Sequence, residues 1–152
     1  MRHRWISESE FTDELYLFVD EYNRAGLPEP FDPPAASEVA GAAATIVGAN
    51  EPVYGRQRFR ALIPKCAFAF YELCKQHFFF TANKRIATFF LLHLLERHGL
   101  TLDMNRRALA RFAERVAASH ARDRQDVIRN AAAVIRKHVV VSDRSRAQAK
   151  KR

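Results

Sequence analysis

The feature that most constrains this chain is a pair of apolar helical stretches joined by a charged junction. Leu62, Cys66, Phe70, Leu73 and Cys74 recur at helical spacing, and Ile63, Phe68 and Ala69 cover much of the remaining circumference. A second run, IATFFLLHLL from Ile86, is almost continuously apolar. A helix that is apolar on most sides has to be surrounded by other elements. Seven of the twelve Phe residues lie between Phe68 and Phe90, so the core belongs to these two stretches. The pattern predicts a compact all-α bundle of about six helices around a central buried pair.

The flanking segments supply the surrounding helices. Ser7 and Glu10 form a capping box ahead of Phe11, Leu15, Phe18, Val19 and Tyr22. Gly26, Pro28 and Pro30 end that helix. Asp32 followed by Pro33 reads as the cap and first turn of a second helix reaching Val47. GANEPVYGRQ reads as a loop. The third helix is expected over about 59–76, with Pro64 marking a kink or a late start. The fourth is expected over about 82–98, closed by Gly99. Asn105 opens a fifth and Asp123 caps a sixth, and VVV near Val140 reads as its end, with a last strand as the alternative.

With 152 residues, 48% of them hydrophobic, the chain suits one domain. Five Gly and six Pro are too few for a turn-rich β fold. The formal charge is +8, and the stretch from Val141 onward supplies +4 of it through Arg144, Arg146, Lys150, Lys151 and Arg152 against Asp143. The division expected is therefore a helical domain at 1–140 and a flexible basic tail at 141–152. Such a tail is either a solvated end or a contact for nucleic acid or an acidic partner. Cys66 and Cys74 lie eight residues apart on one expected helix, about 12 Å of rise, too far to pair. They read as buried thiols in a reducing compartment. The opening MRHRWISESE lacks the apolar core of a signal peptide, and the run from Ile86 is about half of a membrane span. A cytoplasmic protein with no membrane partner is expected.

The junction HFFFTANKRIA carries the chemistry. It offers His77, Asn83, Lys84 and Arg85 between two buried helices. The two cations stand at a helix N-terminus, which already carries about half a positive charge and several unpaired N–H groups. Like charges gather there at a cost unless an anion arrives, and phosphate is the natural guest. The imidazole of His77 suits a general base for a hydroxyl. A phosphate cradle beside a base is the layout for phosphoryl or nucleotidyl transfer to an alcohol.

His77, Phe79, Ala82, Asn83, Lys84 and Arg85 together resemble the signature of the Fic/Doc family, and Ala-Asn-Lys-Arg resembles its Doc branch. The continuation IATFFLLHLLERHG, and the earlier ISESEFTDELYLF and FDPPAASEVAG, are similar to Doc helices. The resemblance implies a Fic/Doc-type bundle with His77 as catalytic base and Phe79 as loop anchor. It implies that Asn83, with the loop amides around Ala82, holds a phosphate oxygen, and that Lys84 and Arg85 bind the phosphates of ATP. It further implies a toxin that phosphorylates a protein hydroxyl on an elongation factor Tu-like target, held in check by a separate Phd-like antitoxin. No inhibitory helix motif of the Ser/Thr-x-x-x-Glu-(Gly/Asn) kind occurs in the sequence, which agrees with a separate antitoxin.

Two positions depart from that pattern. The family's acidic Mg²⁺ ligand falls at Thr81, and a hydroxyl is a poor substitute for a carboxylate toward a hard cation. Thr81 is expected to serve as the N-cap of the fourth helix instead. Ile86 replaces the Thr usual after the Arg in Doc. Three functions follow as expectations: a Doc-like phosphotransferase, a Fic-type AMP transferase, and a catalytically degenerate binding module. Lys84, where AMP-transferring relatives carry Gly, favours the first over the second. Read without the motif, His77 is a helix-end histidine and Lys84–Arg85 a solvated helix start. Phe78, Phe79 and Phe80 all read as packing residues, and His93 and His98 as structural. Tyr54, Arg56 and Arg58 read as surface or as a docking edge for a target.

Overall fold

The computed structural model describes residues 4–57, 59 and 61–151. Arg58 and Arg152 lie outside the described residues. Seven α-helices make up most of what is described: α1 (Glu8–Arg24), α2 (Ala36–Val47), α3 (Leu62–Lys75), α4 (Asn83–Glu96), α5 (Arg106–Ala118), α6 (Arg124–His138) and α7 (Asp143–Lys150). Two short antiparallel ladders complete it, β1 (Pro52–Val53) with β2 (Arg56–Gln57), and β3 (Leu100–Leu102) with β4 (Val139–Val141). The fold class is all-α, as the periodicity predicts.

The centre is the α3–α4 pair. Every residue of α3 from Cys66 to Cys74 is buried, and α4 buries Ile86, Ala87, Phe90, Leu91, Leu94 and Leu95. Around them α1 contributes Phe11, whose ring stacks on Phe90 at 4.2 Å, and α5 contributes Phe112, 4.7 Å from Phe70. Interdigitated aromatics of this kind add to the free energy of area burial. α6 closes the far side of α3 with Ala131, Ala132 and Ile135. There Glu72, buried in α3, pairs with Arg124, whose guanidinium lies over the rings of Phe68 and Tyr71 at 5.6 and 5.3 Å. The Lys75 ammonium donates to the carbonyls of Ala117 and Ser119 and so caps the end of α5. Cys66 and Cys74 are both free and buried, and burial pushes each thiol up to about 12.

Several boundaries differ from expectation. The first helix has its Ser7–Glu10 capping box, at 3.2 and 3.1 Å. The second begins at Ala36 rather than at Asp32, because Pro33 and Pro34 each push the preceding residue away from helical torsions. Residues 31–35 are instead irregular, and Glu38 reaches back to the Ala35 amide at 2.8 Å. Pro64 sits in the first turn of α3, so the late start is the correct alternative. Asn105 caps α5 through the Ala108 amide at 2.8 Å, whereas Asp123 stands at the N-cap of α6 without a capping bond. The loop at 48–57 contains the β1–β2 hairpin, with Tyr54 fully exposed at its turn.

The largest difference lies at the C-terminal end. Val139–Val141 is not the end of a helix but strand β4, paired with Leu100–Leu102. It spans the expected boundary at 140/141. The Ser142 amide then donates to Gly99 O at 2.9 Å, the Ser142 side chain caps Ser145 N, and α7 follows where a tail without an element was expected. Among the described residues, no helix is long and apolar enough to cross a membrane.

Candidate phosphate-binding site

The junction between α3 and α4 is a tight loop bracketed by two left-handed residues. His77 follows the last turn of α3 at φ 49°, the position where a helix end favours Gly or Asn. Ala82, at φ 66°, is the residue that precedes α4. A non-glycine residue in this region costs roughly 1–2 kcal/mol. Strain of this kind persists where the surroundings over-determine it, and it concentrates at functional sites.

Asn83 and Phe79 are the over-determining groups. Phe79 is 5% exposed and belongs to the hydrophobic core. The Asn83 side chain spans the loop with two hydrogen bonds, donating to Phe79 O at 2.9 Å and accepting from Phe79 N at 3.1 Å. Asn83 thus works through its side chain as a loop staple, and its own amide is left in the open first turn of α4. The first helical bond there is Ile86 N to Ala82 O at 3.0 Å, so the amides of residues 83–85 have no partner within the helix. α4 has no acid in its first turn, and its N-cap has no side-chain cap. Thr81 is therefore not the N-cap, contrary to expectation. The left-handed Ala82 takes that position, and Thr81 before it is exposed.

The cations divide. Lys84 is exposed beside the open amides, and its charge partly offsets the effect of burial on Cys74. Arg85 is turned toward the segment between α1 and α2. Its Nη1 donates to Glu29 O at 2.5 Å, and its guanidinium lies 4.3 Å from the Phe31 ring centroid and 5.2 Å from that of Tyr22. His77 is exposed at the opposite end of the loop from Lys84. Phe80, expected to pack, is 87% exposed, because the loop turns it away from the side on which Phe79 is buried.

The segment between α1 and α2 forms the second wall, and no sequence motif announces it. Asn23 holds Phe31 by the same two-bond device that Asn83 uses on Phe79, at 3.0 and 2.9 Å. Tyr22 donates to Pro28 O at 2.7 Å, and Glu29 adopts φ 57°. Between the walls lies a cavity of about 30 Å³ lined by Phe31, Asp32, Glu38, Phe79, Thr81 and Ile86, among others. The lining brings two carboxylates, Asp32 and Glu38, beside Thr81. Glu38 already accepts from Ala35, and among the described residues no three or more His, Cys, Asp or Glu side chains converge as a metal site.

No family model, no curated protein and no solved structure matches the chain.

Proposed function

We propose that the 77–85 loop binds the phosphates of a nucleotide such as ATP and that the protein is a Doc-like phosphotransferase acting on a protein hydroxyl. The observation that carries this reading is the loop's backbone: two left-handed non-glycine residues and a two-bond asparagine staple hold open a helix N-terminus that already bears Lys84. Phosphate oxygens would accept from the amides of Asn83, Lys84 and Arg85, with the Lys84 ammonium neutralising them. His77 would take the proton from a Ser, Thr or Tyr hydroxyl as its oxygen attacks the terminal phosphorus. The bond from that phosphorus to the bridging oxygen breaks, and the nucleoside diphosphate leaves. By the same resemblance the target would be elongation factor Tu-like, the setting cytoplasmic, and the partner a Phd-like antitoxin.

A second reading has its own support. Arg85 contacts Glu29, Phe31 and Tyr22, which leaves fewer groups for a nucleotide than the family pattern provides and favours a binding-only relative. Equilibrium binding of labelled ATP separates the outcomes. Lys84→Ala should weaken binding about tenfold, the loss of one charge-assisted contact of roughly 1.4 kcal/mol. Arg85→Ala should lower the melting temperature more than the affinity. A parent protein that binds no ATP at millimolar concentration would refute nucleotide binding at this loop. Binding without transfer to any protein hydroxyl would establish the second reading.

A further inference from the structure

Charge is strongly segregated along the sequence. Residues 1–57 hold ten acids and four bases, net −6, while residues 58–152 hold seven acids and 21 bases, net +14. Much of the excess lies on the α5–α6 hairpin. Both helices turn their apolar edges to α3, through Phe112, Ala113 and Val116 on α5 and Ala131, Ala132 and Ile135 on α6. The other face of α5 carries Arg107, Arg111 and Arg115, all exposed and four residues apart, with Glu114 as the helix's one acid. Like charges at this spacing disfavour a helix. Among the described residues none of the three makes an ion pair.

The helices run antiparallel, and the Asp103 amide donates to His138 O at 2.8 Å, which sets the start of α5 beside the end of α6. Arg106 at the start of α5, and Arg136 and Lys137 at the end of α6, are all exposed.

We propose that the exposed face of α5 carrying Arg107, Arg111 and Arg115 docks the phosphate backbone of duplex nucleic acid. The row from Arg107 to Arg115 is about 12 Å long. A duplex carries one charge per about 1.7 Å of axis, so about seven phosphate charges pass along that length. Arginine forks suit phosphate oxygens. A membrane surface would call for aromatic or aliphatic side chains on the same face, and those of α5 point into the core. A single strand would call for exposed aromatics on which bases stack. The exposed ones, Tyr16, Tyr54 and Phe80, lie outside α5–α7. The surface is separate from the 77–85 loop and does not rest on the function proposed for it.

The test is fluorescence anisotropy of the full chain with a labelled DNA duplex of roughly 20 base pairs, between about 50 and 200 mM salt. The triple variant Arg107→Gln/Arg111→Gln/Arg115→Gln should lose at least about tenfold in affinity and flatten the log–log salt slope by about 2 to 3. Removing equal charge from α7, with Arg144→Gln/Arg146→Gln/Lys150→Gln, should cost far less. Equal losses in the two triples would overturn the proposal, as would no salt-dependent binding by the parent. Displacement of the duplex by polyglutamate at equal charge concentration, or preference for anionic lipid vesicles, would also overturn it, pointing to an acidic protein or a membrane instead.

Discussion

Replacing Asn83 by Ala removes both bonds that clamp the loop across Phe79, at 2.9 and 3.1 Å. Each side chain–backbone bond contributes about 1 kcal/mol net. The loss also leaves the amide and carbonyl of Phe79 without these partners, and Phe79 is only 5% exposed, so water replaces them poorly. Together the change should cost about 2–3 kcal/mol. In a domain of this size each kcal/mol shifts the melting temperature by about 2–4 °C, so a fall of roughly 4–12 °C is expected. Asn83→Asp keeps the acceptor for the Phe79 amide and places a carboxylate at a helix start, where it is favoured, but it loses the donor. It should fall between parent and Asn83→Ala. Thermal unfolding by far-UV circular dichroism measures the series, and hydrogen exchange at the Phe79 amide reports the loop directly. Melting temperatures of all three within about 1 °C of one another would refute the staple, since a shift that small corresponds to well under 1 kcal/mol.

Relieving the left-handed strain should have the opposite sign: Ala82→Gly and His77→Gly should each stabilise by about 1 kcal/mol in chemical denaturation, while the histidine change slows any transfer by roughly 10²–10⁴-fold. Glu10 is held down to about 2, first by the Ser7 hydroxyl and then by Arg97. Its folded-state value is depressed, so its contribution is present above the ordinary glutamate value of 4.5 and is lost as pH falls from there toward 2. Glu10→Gln should flatten that part of the stability–pH profile. His93, packed against Phe89 and Phe90, is lowered from its ordinary 6.5 chiefly by burial, with Arg97 acting in the same direction and Glu14, Glu10 and Glu96 against it. Its neutral form is the folded one, so stability should fall as pH drops below 6.5, and His93→Phe should remove that component of a pH-dependent melting series.

The central helices were legible in the sequence because their burial leaves an apolar imprint on nearly every position from Cys66 to Cys74 and from Ile86 to Leu95. The loop residues His77 to Arg85 were legible as a group because polar side chains between two such helices are conspicuous. Their individual partners were not. The Arg85 contact with Glu29 spans 56 residues, and no local pattern encodes it. The Asn83 staple lies within one turn of chain but depends on the left-handed turn at Ala82, which an alanine does not advertise. Strand β4 was hidden for a related reason. Three valines after a helix fit either a helix end or a strand, and the partner that decides, Leu100–Leu102, is distant in sequence. Phe80 shows the converse error: an aromatic between two packing residues is exposed because the loop's torsions, not its hydrophobicity, set its direction.

The most direct test of the phosphotransferase reading uses the purified parent and His77→Ala with ATP labelled at the terminal phosphate, incubated with an elongation factor Tu-type protein and, separately, with a bacterial protein extract. Label is expected on a Ser, Thr or Tyr hydroxyl with the parent, and transfer slower by roughly 10²–10⁴-fold with His77→Ala, the usual worth of a general base. Equal transfer by both proteins would contradict the role of His77, and no transfer by a parent that binds ATP would contradict the enzyme itself.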